Sequence, residues 1–126
     1  MRLLLDTNIV IARSSGWRQL GAGIDSAIES GDNACFASVV SLWEIAIKKR
    51  IGKLDTVQSA PAVAEYFDSA EIPLLPITRD HVLTELEREP STRDPFDRLL
   101  LAICQVEGMR LVTLDRALAS HPLAWR

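Results

Sequence analysis

The chain has 126 residues, with 14 Lys and Arg against 17 Asp and Glu, and a formal net charge of −3. This length suits one core, so we expect residues 1–126 to form a single domain. The negative balance excludes a generally basic surface and leaves only local patches for contacts with nucleic acid. No apolar run in the sequence approaches the length of about 18 residues that a membrane helix needs. Its two cysteines form no Cys-x-x-Cys pair. We therefore expect a soluble, cytoplasmic protein without membrane association.

The first six residues form a short apolar run that ends in Asp6. A run without polar and apolar alternation is typical of a parallel strand buried on both faces, and ligands gather beyond the carboxyl ends of such strands. Thr7 and Asn8 then predict a turn into a helix. Asp6 therefore has two interpretations: a functional carboxylate at a strand end, or an N-cap of that helix.

A β-α-β unit follows. Apolar residues at helical spacing predict an amphipathic helix from about Gln19 to Ser30, which stops at Gly31. A second short strand is predicted over Asn33–Ala37, and Ser38 is well placed to cap the next helix.

The third predicted helix runs from Val39 to Ile51 and ends at Gly52. Glu44 is its unusual member, because its neighbours at helical spacing are the apolar residues Val40, Ile47 and Ile51. A carboxylate on an apolar stripe needs a partner. The alternative to a functional role is an ordinary ion pair with Lys48, four residues further on.

The middle of the chain is less informative. A helix over roughly Pro61–Ser69 leads to Ile72–Ile77, where two prolines allow only a short strand at the sheet edge. Thr78 or Asp80 then starts a helix that is expected to include Leu86.

The polar stretch Glu87–Thr92 predicts an irregular loop that is able to border a site. Asp94 followed by Pro95 is a strong helix-start pattern, which gives Asp94 a structural capping role. Asp97 falls in the first helical turn on the core-facing side, where its alternative is to complement the helix dipole. The apolar residues that define this side are Leu100, Leu101 and Cys104.

The last predicted buried strand is Met109–Thr113, which leads to Asp115 before a short helix. Asp115 repeats the pattern of Asp6, and helix capping is again the alternative. The tail Leu123–Trp125 offers a further edge strand. His81 and His121 are isolated and are expected to be surface or structural residues.

Taken together, four acids map to strand ends or to helix faces beside them in an α/β fold: Asp6, Glu44, Asp97 and Asp115. Four close carboxylates do not all stay ionised unless cations share the site. Oxygen ligands without histidine or cysteine suit Mg²⁺ or Mn²⁺, as one or two ions. Such a site favours phosphate chemistry, because the metal activates water and stabilises a leaving oxygen.

Four stretches of the sequence resemble the PIN domain and, more narrowly, the ribonuclease toxins of bacterial VapBC-type toxin–antitoxin pairs. They are Asp6-Thr7-Asn8 after the first strand, Ser41–Lys49 with Gly52-Lys53-Leu54, Arg93–Arg98, and Leu111–Asp115. The resemblance spans nearly the whole chain. It implies a three-layer α/β/α sandwich with a central, mainly parallel sheet of four to five strands. It also implies an RNA substrate, frequent homodimerisation and inhibition by a small cognate antitoxin.

Carried over by position, the resemblance makes the four acids the catalytic and metal-binding quartet of a Mg²⁺-dependent endoribonuclease. Thr7, Asn8 and Thr113 become supporting groups. Further cations near the acids are candidates for holding the RNA backbone, or form a solvated helix end: Lys48, Lys49, Arg50, Lys53 and Arg98.

Two departures from the family pattern leave substrate choice and partner contacts open. Ser91-Thr92 stands where relatives often carry histidines, and the first helix is aliphatic where relatives are often rich in tryptophan.

Two other functional classes compete with the nuclease. A phosphoryl-transfer domain with a strand-end aspartate nucleophile normally needs a later lysine, but the sequence has none after Lys53, and it has Asn8 where a second aspartate is usual. A silent binding module would have no reason to keep four like charges together. Metal binding separates that module from the nuclease.

Overall fold

The structure is a computed structural model that describes residues 1–17, 19–21, 23–55 and 58–126. The strands of its sheet are β1 (Arg2–Leu5), β2 (Ala34–Ser38), β3 (Leu74–Leu75) and β4 (Arg110–Val112). All pair in parallel, in the order β3-β2-β1-β4. The described helices are α1 (Thr7–Ser14), α2 (Ile24–Glu29), α3 (Val39–Arg50), α4 (Ala60–Ser69), α5 (Arg79–Leu83), α6 (Pro95–Glu107) and α7 (Arg116–Ala119).

The central strand β1 is buried on both faces, which is why its sequence shows no alternation. Leu3 and Leu5 pack into a cluster with α1, α2 and α4, whereas Leu4 packs into a second cluster with α6 and α7. Successive side chains of a strand point to opposite faces. The sheet is therefore covered by helices on both sides, which confirms the predicted three-layer α/β/α fold.

Successive strands are added to the sheet first on one side of β1 and then on the other. The chain moves outward from β1 to β2 and β3, and then returns through α6 to β4 on the other side of β1. The gap between β1 and β4 is thus the switch point at which α/β sheets of this kind bind ligands. Asp6 lies at this gap, where its amide donates a hydrogen bond to the Val112 carbonyl at 2.9 Å.

The predicted caps of the two longest helices are confirmed. The Ser38 hydroxyl accepts from the Val40 amide at the start of α3. Asp94 caps α6 with Pro95 in its first turn, and Gly108 ends this helix in the left-handed conformation with φ 70°. A residue with a Cβ would be strained at that turn.

Two helix predictions were too long. The helix expected from about Gln19 begins only at Ile24, because Gly21 and Gly23 have φ values of 78° and 77°. The Asp25 carboxylate instead binds the Leu20 amide at 2.6 Å. Position 22 of that prediction lies outside the described residues.

The helix α5 begins after Thr78 as expected but ends at Leu83, so Leu86 is buried in the segment that follows it. His81 is structural, because it is buried and its Nε2 lies 2.7 Å from a Glu107 carboxylate oxygen. At the chain end, the expected strand is reduced to one parallel bridge between Leu111 and Ala124.

No helix in the described ranges has both the length and the apolar character needed to cross a bilayer.

Packing of α4 on the sheet gives a first prediction. Phe67 is 0% exposed in the cluster that contains Leu3 and Leu5. Phe67→Ala is expected to lower the free energy of unfolding by about 3–5 kcal/mol, through lost apolar burial and a cavity. Val82→Ala, at a position that is 58% exposed, serves as the control and is expected to change it by less than about 0.5 kcal/mol. Chemical denaturation measures both, and equal losses would contradict this packing.

Candidate metal centre

Asp6 follows β1 directly and is only 4% exposed. One carboxylate oxygen accepts from the Thr7 amide at 2.8 Å, which caps α1. The other accepts from the Thr113 hydroxyl at 2.6 Å, and Thr113 follows the neighbouring strand β4. The capping interpretation of Asp6 is therefore confirmed. The second carboxylate oxygen of the capping residue is bound from the neighbouring strand end, at the switch point.

Glu44 lies inside the fold and is 6% exposed. Its Oε1 accepts from the Thr7 hydroxyl at 2.6 Å, and the Ser41 hydroxyl lies 2.9 Å from that of Thr7. Because Thr7 gives its single hydroxyl proton to Glu44, Ser41 is the donor to Thr7. The Oε2 of Glu44 forms an ion pair with Lys48. The expected helical pair is thus present, but with a buried carboxylate rather than at a solvated edge.

Asp97 occupies the first turn of α6 and is half-buried. Its Oδ2 accepts from the Thr92 hydroxyl at 2.9 Å, so the predicted loop does border this carboxylate. Asp94 caps the same helix by accepting from the Phe96 amide at 2.8 Å, as predicted. The second oxygen of Asp94 lies 3.7 Å from the Lys48 ammonium.

Asp115 caps the short helix α7 by accepting from the Ala117 amide at 2.9 Å. Its own amide donates to the Thr113 hydroxyl at 3.0 Å. Thr113 therefore connects the backbone at Asp115 to the carboxylate of Asp6.

The acids act on one another electrostatically. Burial raises the pKa of Asp6, and the charges of Glu44 and Asp115 raise it further, against the hydrogen bonds from Thr113 and Thr7. Burial likewise raises the pKa of Asp97 to about 6, from an ordinary value of 3.8. The negative charges of Asp94, Asp6 and Glu44 add to this shift, and the hydrogen bond from Thr92 opposes it. The four predicted acids therefore share one region of strong negative potential.

Lys48 lies within this region rather than beside it. Burial acts to lower the pKa of its ammonium, but the hydrogen bond and charge of Glu44, together with Asp94 and Asp97, outweigh burial and raise the pKa. Lys48 is thus a charged counter-ion of the acids.

The other predicted residues are distributed differently. Thr7 and Thr113 contact the acids, whereas Asn8 is exposed at the start of α1. Arg98 is held by Glu89 at 2.9 Å and by the Thr84 carbonyl at 3.3 Å. Three further cations lie at or beyond the end of α3: Lys49, Arg50 and Lys53.

Sequence reasoning missed two hydroxyl residues of the site. Ser41 lies three positions before Glu44, so helical spacing already placed both on one face. For Thr92 the sequence indicated only that its loop is able to border a site, because the individual contact from an irregular loop does not follow from spacing.

The donor set suits a hard divalent cation, since it offers carboxylate and hydroxyl oxygens next to a bound ammonium. In the part of the chain that the structure describes, no three His, Cys, Asp or Glu side chains already converge as a metal cage. The carboxylates are turned toward hydroxyls, amides and Lys48 instead. Each carboxylate keeps lone pairs beyond these contacts, and coordination would use those remaining lone pairs.

Comparison with solved structures gives full-length similarities. A toxin–antitoxin complex from Klebsiella pneumoniae has a TM-score of 0.65 at 21% identity, over 98% of this chain and 96% of that chain. VapBC2 from Rickettsia felis, bound to a DNA fragment from its promoter, has a TM-score of 0.63 at 17% identity, with the same coverage of 98% and 96%. Comparison with curated proteins gives no match. At these identities, the similarities show a shared fold.

A sequence model of the PIN domain matches residues 3–122. This match contains all four acids and, apart from Arg2 at the start of β1, every strand of the sheet. It leaves out only two residues at the start and four at the end, and the chain therefore belongs to the PIN domain family.

Proposed function

We propose that this protein is a metal-dependent endoribonuclease, and that it is the toxin of a toxin–antitoxin pair. The observation that carries the proposal is that the acids around the end of β1 influence one another: Glu44 and Asp115 act on Asp6, and Asp6 and Glu44 act on Asp97. A cluster of carboxylates is costly to bury unless a cation shares it. An oxygen-only cluster points to Mg²⁺ or Mn²⁺ and to phosphate chemistry.

In this proposal, the catalytic and metal-binding residues are Asp6, Glu44, Asp97 and Asp115. Bound Mg²⁺ or Mn²⁺ would supply a Lewis acid that activates water and stabilises charge on the phosphate. Attack of water on phosphorus breaks the bond to the 3′ oxygen, which takes a proton. This leaves 5′-phosphate and 3′-hydroxyl ends, as the family resemblance implies.

The remaining groups of the chain orient the acids. Thr7 holds Glu44 and Thr113 holds Asp6, both through hydroxyl hydrogen bonds of 2.6 Å. Each bond restricts the rotation of a carboxylate and leaves other lone pairs for an ion. Asn8 is exposed at the start of α1, and we retain it as a supporting group of the site.

RNA backbone contacts are assigned to the basic end of α3. Arg50 and Lys53 are exposed there, and Lys49 is half-buried. Such contacts position a strand without reading its sequence. Lys48 and Arg98 have a smaller part in this role, since Lys48 is paired with Glu44 and Arg98 with Glu89.

Partners are proposed from the two similar structures, both of which are toxin–antitoxin assemblies. We infer a small cognate antitoxin and a homodimer, with residues 1–126 acting as a single PIN-like domain. A cytoplasmic location agrees with the free thiols of Cys35 and Cys104.

Cleavage of a mixed tRNA and ribosomal RNA pool tests the activity. Cutting is expected with Mg²⁺ or Mn²⁺ and not with EDTA. Asp6→Asn and Asp97→Asn are each expected to reduce the rate by at least about 100-fold, since changing even the outer partners of a metal site costs about 10–100-fold. Asp32→Asn, an exposed acid outside the quartet, is the matched control and should cut normally. If neither the wild type nor any variant cuts RNA with either metal, with co-purified antitoxin removed, a silent binding module is the better account.

The hydrogen bond from Thr113 to Asp6 gives a prediction that does not depend on activity. Thr113→Val keeps the shape of the side chain but removes the hydroxyl, and it is expected to weaken Mn²⁺ binding by about 10–100-fold. Thr113→Ser keeps the hydroxyl and is expected to bind nearly as the wild type does. Isothermal titration calorimetry measures both affinities. If the valine and serine variants bind alike, Thr113 does not orient a ligand.

The raised pKa of Asp97 predicts how stability depends on pH. Its pKa is about 6 in the folded protein and 3.8 ordinarily, so the folded state holds this proton more tightly than the unfolded state does. Stability of the metal-free protein should therefore fall as pH rises from about 4 through about 6. Asp97→Asn should flatten this fall, and Mg²⁺ should raise the melting temperature of the wild type at pH 7.5 more than at pH 5.

Thermal melts in EDTA and in Mg²⁺ across this range measure the effect. Asp32→Asn again controls for the loss of one carboxylate. An unchanged slope in Asp97→Asn would show that Asp97 does not titrate in this window.

A further inference from the structure

Lys48 is held from three directions. Its ammonium pairs with Glu44 on its own helix and lies 3.7 Å from the Asp94 carboxylate at the start of α6. It also lies 5.8 Å from the centre of the Phe96 ring. Only 32% of its side chain is exposed. These contacts fix the ammonium between two helices, whereas a lysine at an ordinary helix edge keeps its charge in water.

The pair with Glu44 differs from a surface ion pair. On a surface both charges remain hydrated, and the pair contributes little. Here the Glu44 side chain is only 8% exposed, so its charge requires a partner inside the protein. Lys48 is that partner in the structure.

The acid cluster therefore has two unlike sides. Glu44 and Asp94 share the ammonium of Lys48. The hydrogen-bond donors to Asp6, Asp97 and Asp115 are hydroxyls and backbone amides, which carry no full charge, and Lys48 acts on Asp97 without a hydrogen bond or ion pair to it. Binding of a divalent ion is most favourable beside Asp6, Asp97 and Asp115, because the ammonium of Lys48 already neutralises charge beside Glu44 and Asp94.

We propose that Lys48 takes the place of a second divalent cation, so that the centre binds one Mg²⁺ or Mn²⁺ on the side of Asp6, Asp97 and Asp115. The inference rests on the proposed metal-dependent function, sets the number of its ions, and narrows the direct ligands to Asp6, Asp97 and Asp115, with Glu44 held by Lys48. A two-metal centre places its ions about 3.5–4 Å apart across shared carboxylates. With the ammonium on Glu44, a second divalent ion there would face a like charge at contact distance.

Counting bound Mn²⁺ on the full-length protein tests the inference. Equilibrium dialysis gives the number of ions per chain, and electron paramagnetic resonance distinguishes an isolated Mn²⁺ from an exchange-coupled pair. The wild type is expected to bind one ion with an uncoupled signal. Lys48→Met removes the charge at similar length, frees Glu44, and is expected to bind two ions with a coupled signal. Lys48→Arg restores a cation and is expected to bind one.

Two further variants control for misfolding and for the loss of a lysine charge elsewhere. Glu44→Gln combined with Lys48→Met removes both charges, avoids an unpaired buried carboxylate and is expected to return to one ion. If Lys48→Met folds poorly, the number of ions bound by this double variant tests the same inference. Lys53→Met removes a lysine charge at an exposed position beyond α3, and is expected to leave the number at one.

The outcomes separate the two proposals. Two ions in the wild type, or one ion in a folded Lys48→Met, would overturn the role of Lys48 and leave metal-dependent cleavage intact. Failure of the wild type to bind Mn²⁺ would overturn the metal centre itself, and the proposed nuclease with it.

Discussion

Parallel pairing of β1 with β4 is the interaction on which the site depends. Leu5 is in register with Val112, and the hydrogen bond from Asp6 to Val112 continues the pairing to the strand ends. This register sets the Asp6 carboxylate beside Thr113. A slip of one residue would turn every side chain of β1 to the opposite face and would bury the wrong leucines. The apolar core and the position of the acid are thus fixed by the same constraint.

Electrostatic repulsion among the acids works against this core. Two features offset this repulsion. Hydroxyl groups donate hydrogen bonds to Asp6, Glu44 and Asp97, and the ammonium of Lys48 pairs with Glu44. Each of these contacts lowers the free-energy cost of burying a charged carboxylate without occupying all of its lone pairs. The result is a centre that is stable enough to fold and still under-neutralised, which is the condition for attracting a cation.

Local signals in the sequence predicted much of this arrangement. The unbroken apolar run before Asp6, the Asp94-Pro95 pair and the apolar stripe around Glu44 each depend on residues close in the chain, and the structure places strand, cap and buried carboxylate accordingly.

What the sequence left open depends on long-range contacts. The contact from Thr92 to Asp97 crosses from a loop to a helix, and the contact from Lys48 to Asp94 joins two helices. No periodicity encodes either. The start of α2 was also missed, because a glycine's positive φ overrides helical spacing that otherwise looked continuous.

Two acids of the quartet, Asp6 and Asp115, also cap helices, as does the neighbouring Asp94. Asparagine caps a helix about as well as aspartate, whereas alanine does not. Substitution at these positions therefore has two different effects. Asparagine removes the charge and keeps a cap, whereas alanine removes the charge and the cap together. The contribution of the charge to chemistry and that of the cap to folding are separable by the choice of a single replacement.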